Sequence, residues 1–89
     1  MEFEFDQGKS QVNLAKHGLD FEQARGLWDD PDLLQVRART TDEPRWLVVA
    51  RLEGRIWAAV ITYRGDTIRI ISVRRARQEE ATLYEGEDI

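Results

Sequence analysis

The chain has 89 residues, no cysteine and a formal net charge of −4. That length allows a single domain, residues 1–89, around one modest core, and the lack of cysteine excludes a disulfide framework and a thiolate metal site. No apolar run approaches the roughly 20 residues that cross a bilayer, and the N-terminus lacks a basic-then-apolar leader pattern, so the reading is a soluble, cytoplasmic protein with no membrane contact.

Phe3 and Phe5 alternate with Glu2 and Glu4, which predicts a short first strand. Asp6 is placed to cap a helix from about Gln7 to His17, ended by Gly18 where a left-handed residue is needed. Val12, Leu14 and Ala15 are its expected apolar contacts. Asp20 opens a second helix with Gln23 three residues on, as in a capping box, and with Leu19 stapling its start against Ala24. Phe21, Ala24, Leu27 and Trp28 form its apolar stripe, and Asp29-Asp30-Pro31 stops it. The two helices read as a hairpin lying on one face of a sheet.

Strands follow. Leu33 to Arg39 is a plausible edge strand, and Thr40 to Pro44 a polar loop. Arg45 to Leu52 and Arg55 to Arg64 are strong strands joined by a tight turn at Glu53-Gly54, and Gly65-Asp66 turns into a last strand from Thr67. Neighbouring apolar runs joined by tight turns predict an antiparallel meander. In the last strand, alternation puts Ile68, Ile70 and Ser72 on one face and Arg69, Ile71 and Val73 on the other. Arg74 and Arg75 fall at its end. Gln78 to Glu85 reads as a closing helix with Leu83 and Tyr84 packed inward, and Gly86 to Ile89 as a frayed tail. The fold class is α+β: a small antiparallel sheet with an N-terminal helical hairpin and a C-terminal helix.

Charge is unevenly spread. From Arg45 to Arg77 there are eight arginines against Glu53 and Asp66, a net of +6, while the rest has five basic and fifteen acidic residues, a net of −10. Arginine suits bidentate phosphate contacts, so a sheet that presents this basic middle suits a polyanion despite the negative total.

At this point the residues resemble the BrnT family of ribonuclease toxins from type II toxin–antitoxin pairs. The likeness is carried by Phe3-Glu4-Phe5-Asp6, Lys9, Asn13, Lys16-His17-Gly18, Phe21, Ala24 and Asp30-Pro31. It continues at Arg45-Trp46, Thr62-Tyr63-Arg64-Gly65, Ile68-Arg69-Ile70-Ile71-Ser72, Arg74-Arg75-Ala76, Glu80 and Tyr84. The resemblance implies a RelE-like fold and an RNA-cleaving toxin that arrests translation. It also implies neutralisation by a BrnA-like antitoxin, a hetero-oligomer (a heterotetramer by analogy), and contact with operator DNA only through the antitoxin. The chain departs from the family pattern at Phe5, at Val73 and at the uncharged or acidic Gln78, Glu79 and Ala81. The alternative is therefore a weak or inactive protein-binding module that acts with the antitoxin in operon autoregulation.

RNA can be cut without a metal when its 2′-hydroxyl attacks the adjacent phosphorus. The enzyme then moves protons and stabilises charge on the phosphoryl oxygens. Arginine stays protonated, so Arg64, Arg74 and Arg75 are candidates for charge stabilisation. Arg64 and Arg74 are expected at opposite ends of their hairpin, roughly 23 Å apart. His17 is the lone histidine and the first candidate for proton transfer, because imidazole alone titrates near neutrality. Its other reading is a helix-end residue that binds a carbonyl or the antitoxin. Lys9, Lys16, Arg69 and Arg77 are candidate RNA contacts, and Glu80 is expected to pair with a nearby arginine, Arg77 at i,i+3. Asp29, Asp30 and Asp32 surround a proline and read as turn carboxylates; no metal or cofactor is expected. Trp28, Trp46 and Trp57 lie in apolar patterns and read as core.

Overall fold

The computed structural model describes residues 1–40 and 42–86. The expected frayed tail therefore lies, beyond Gly86, outside the described residues. Strand β1 (Glu2–Glu4) leads into helix α1 (Gln7–His17), helix α2 (Phe21–Ala24) and a 3₁₀ segment (Arg25–Asp29). Strands β2 (Leu34–Ala38), β3 (Arg45–Leu52), β4 (Arg55–Arg64) and β5 (Thr67–Arg75) follow, then helix α3 (Gln78–Glu85). The sheet order is β1-β5-β4-β3-β2. Strands β2 to β5 form the expected antiparallel meander. Strand β1 joins β5 in parallel, so the sheet is mixed.

Local chemistry sets the boundaries. The Asp6 carboxylate accepts from the Lys9 N–H at 2.9 Å, and Gly18 ends α1 at φ 84°. Asp20 and Gln23 form a reciprocal capping box. The second helix is shorter than its pattern suggests: after Ala24 the chain tightens into the 3₁₀ turn. Its stripe still reaches the core, where Phe21, Ala24 and Leu27 are buried against Val48, Ala50, Ala59, Ile61, Ile70 and Val73. Fully burying side chains such as Phe21, Ile61 and Ile70 stabilises by about 1.5–3 kcal/mol each. Of the tryptophans, Trp57 belongs to this core, and Trp28 and Trp46 pack against it half-buried.

Helix α1 departs from expectation. Val12 is 63% exposed, Leu14 39%, and Ala15 is exposed too; the side chains it buries are Ser10 and Asn13. The reason lies in β5. Strand β1 pairs with β5 only at residues 67–69, which leaves the outer edge of β5 bare further on. There the Asn13 carboxamide donates to the Val73 carbonyl at 2.9 Å and accepts from the Val73 N–H at 3.3 Å. It thereby takes the part of a neighbouring strand, since buried backbone groups must be paired. The same Nδ2 donates to the Leu19 carbonyl, and the Ser10 hydroxyl accepts from the Phe21 N–H. The helix is thus fastened to a sheet edge by polar groups.

A second departure is a bulge in β5. Ile61 pairs with Ile70 but Val60 pairs with Ser72, so Ile71 is the extra residue. Alternation resets there. Val73 is fully buried with Ile68 and Ile70 on the face under α2, not opposite them as strict alternation predicts. Arg74 consequently shares the other face with Arg69 and Arg64, and Arg75 crosses to the α2 side.

Helix α3 covers one end of that other face, held by polar ties. Arg74 makes a bidentate pair with Glu80 at 2.8 and 2.9 Å. The Tyr84 hydroxyl donates to Asp30, which also accepts from the Arg51 and Asp32 N–H groups. Arg51 lies over the Tyr84 ring at 5.8 Å. Burial pushes the Asp30 carboxyl up, but these hydrogen bonds outweigh it and hold it below its ordinary value. Tyr84 is half-buried as expected, whereas Leu83 is 59% exposed because its side of the helix faces away from the sheet.

Candidate nucleic-acid interface

The helical spacing of Lys9, Val12, Lys16 and His17 places them along one side of α1. That side borders the bulged edge of β5. Together with Asp6, Asn13, Phe21, Ile71 and Ser72 they line a groove of about 520 Å³. Its floor is apolar and its rim basic. Both lysines are exposed and have no carboxylate partner among the described residues. The bulge matters here, because it delivers Ile71 and Ser72 to this edge.

His17 sits at the junction of two concavities. Beyond α1 it also lines a cavity of about 330 Å³ with Gly18, Leu19, Gln23, Leu52, Glu53, Arg55 and Trp57. The Arg75 guanidinium lies 5.7 Å from the centre of the Trp57 ring, a cation–π distance. His17, Arg55 and Arg75 thus converge on Trp57 at one end of the molecule.

The remaining candidates lie elsewhere. Arg64 pairs across the hairpin with Thr67, whereas Arg75 pairs with Trp57, so Arg64 and Arg75 mark opposite ends of the β4–β5 ribbon. Arg69 donates to Glu4 at 3.0 Å, and Arg64 approaches the same carboxylate at 3.9 Å. Arg74 is occupied by Glu80, and their shared hydrogen bonds hold the Glu80 carboxyl down to about 2 and raise the guanidinium. The expected Arg77–Glu80 side-chain pairing is replaced: Glu80 takes Arg74 as its ion-pair partner and accepts the Arg77 backbone N–H at 2.8 Å, closing the first turn of α3. Arg77 itself is exposed at the N-cap of that helix.

Sequence reasoning missed the cavity beside His17. Its residues come from α1, α2 and both strands of the β3–β4 hairpin, so no local pattern announces it. One local signal was available. Glu53 stands at the first position of a tight turn where Asn, Asp or Gly is usual, and it takes φ 51° ahead of Gly54 at φ 80°.

No helix among the described residues is long and apolar enough to cross a membrane. Comparison with curated proteins finds no match. A family model described as "Ribonuclease toxin, BrnT, of type II toxin-antitoxin system" matches residues 5–80, a span that holds Lys9, His17, the bulge and both terminal arginines of β5. The chain belongs to the BrnT family of type II toxin–antitoxin ribonuclease toxins.

Proposed function

We propose that this protein is a metal-independent endoribonuclease that inhibits translation and is neutralised by a BrnA-like antitoxin. The observation that carries the reading is the convergence of Lys9, Lys16 and His17 on one groove, with His17 also lining the neighbouring cavity whose Trp57 wall lies under Arg75. In the proposed reaction the RNA 2′-oxygen attacks phosphorus and the bond from phosphorus to the 5′-oxygen breaks. A 2′,3′-cyclic phosphate and a 5′-hydroxyl result. His17 carries a proton in this exchange, removed from the 2′-hydroxyl or delivered to the leaving oxygen. Arg75 meets the charge that develops on the phosphoryl oxygens. Lys9 and Lys16 hold flanking phosphates, and Arg77, exposed at the start of α3, contacts the strand further from the reacting bond, whereas Arg64, Arg69 and Arg74 lie on the other face beside Glu4 and Glu80 and take no part.

The test is purified toxin on RNA in excess EDTA. Cleavage is expected to persist. His17→Asn is expected to lower the rate by about 100-fold, within the usual range for a proton-transfer group. Arg75→Ala is expected to lower it at least about tenfold with the fold intact by circular dichroism. Full activity in both variants overturns the assignment.

A second reading is favoured by one observation: Arg74 and Arg69 already have carboxylate partners in Glu80 and Glu4. On this reading the sheet is a docking unit for the antitoxin, and the pair acts at its own operator. Expression of this chain alone separates the two. Growth arrest relieved by the antitoxin supports the nuclease, and soluble, harmless protein supports the docking unit.

A further inference from the structure

The cavity that shares His17 with the groove mixes apolar walls with groups of both charges. Leu19, Leu52 and Trp57 supply apolar walls, and Gln23, Glu53 and Arg55 supply polar groups. Most arginines on the sheet that flank carboxylates are paired with them, but Glu53 and Arg55 have no ion-pair partner among the described residues. They flank the tip of one hairpin. Glu53 is held there in the left-handed region, which a side chain with a Cβ adopts at a cost. An anion is a poor occupant, because Glu53 repels it. A flat neutral ring with donors on one edge and acceptors on another matches both charges.

We propose that this cavity is a nucleobase subsite selective for guanine, next to the scissile phosphate. Guanine presents N1–H and N2–H side by side, and the Glu53 carboxylate accepts both. Its O6 and N7 form the acceptor pair to which an arginine donates two bonds, the role of Arg55. Adenine offers a lone pair at N1 where guanine has a hydrogen, so it sets an acceptor against the carboxylate and loses on repulsion. Uracil supplies one donor and not two. A single-stranded base turned out of its stack fits an apolar-walled pocket read along its edges. His17 borders both spaces, so a base in the cavity brings its own sugar-phosphate to the residue that carries the proton.

The inference rests on the nuclease reading for its meaning but is tested apart from it. The folded wild-type chain is titrated with GMP, AMP, CMP and UMP by calorimetry, with backbone amide NMR shifts to locate the site. GMP is expected to bind at least about tenfold tighter than AMP. Shifts are expected at Gln23, Glu53, Arg55 and the Trp57 indole. Glu53→Gln is expected to remove most of that preference, and Arg55→Lys, which loses the forked donor, to weaken GMP alone. Equal binding of GMP and AMP, or an unchanged preference in both variants, overturns the subsite even if RNA is cut. A guanine preference without any RNA cleavage sinks the nuclease reading and leaves the subsite standing.

Discussion

At the scale of the residue, Asn13 and Glu80 show how much one polar side chain can decide. Asn13 is 7% exposed and makes three hydrogen bonds, two of them to Val73. Asn13→Leu keeps the branched shape but strands both backbone groups of Val73 and the Leu19 carbonyl. We expect a loss of at least about 3 kcal/mol in urea unfolding, the cost of three buried unsatisfied groups. Glu80 makes a prediction about pH. Its folded value, about 2, is depressed by the Arg74 hydrogen bonds from an ordinary 4.5. The unfolded chain therefore binds the proton first. The stabilisation is present in full above about pH 4.5 and is lost as pH falls toward 2. Glu80→Gln is expected to flatten that limb of the stability profile and to cost about 2 kcal/mol at pH 7. Neither partnership was legible in the sequence. The i,i+3 spacing pointed to Arg77, but α3 turns back over the sheet and meets Arg74 instead. Asn13 reaches a residue 60 positions away, which no local pattern encodes.

At the scale of the element, helix ends and hairpins were legible because their chemistry is local. Asp6, Gly18, Asp20 with Gln23, and Glu53-Gly54 act on neighbours within a few residues. The bulge was not legible, since an extra residue exists only relative to a partner strand. Half of the candidate site follows from each kind. The Lys9–Lys16–His17 side of α1 comes from helical spacing, whereas Ile71 and Ser72 reach it through the bulge. Deleting Ile71 tests this directly. Without the extra residue, Ile70 and Ser72 fall on opposite faces by plain alternation, so Val73 keeps its place in the core and Arg74 its reach to Glu80. The deletion is therefore expected to lower the melting temperature by only a few degrees, close to the effect of Ile71→Ala, read by calorimetry. A fall of more than about 10 °C would show that the strand beyond the bulge has changed faces instead.

At the scale of the whole molecule, the net charge of −4 conceals the layout of the surface. Lysines with no carboxylate partner among the described residues line the groove, whereas several arginines are held by carboxylates. RNA affinity is therefore expected to fall with salt in spite of the acidic total. The double variant Lys9→Gln, Lys16→Gln is expected to reduce the slope of log K against log salt by about 1.4, the share of two phosphates on a single strand. A slope unchanged by the double variant places the RNA elsewhere. The two rims of the sheet differ as well. One is the three-residue β1, carrying two glutamates, continued by α1 through Asn13. The other is β2, five residues long and, among the described residues, with no strand paired along its outer side. Lateral growth by strand addition thus has a single usable end. Two copies that meet through β2 about a twofold axis exhaust it, so self-association at high concentration should stop at pairs and never run on into fibres.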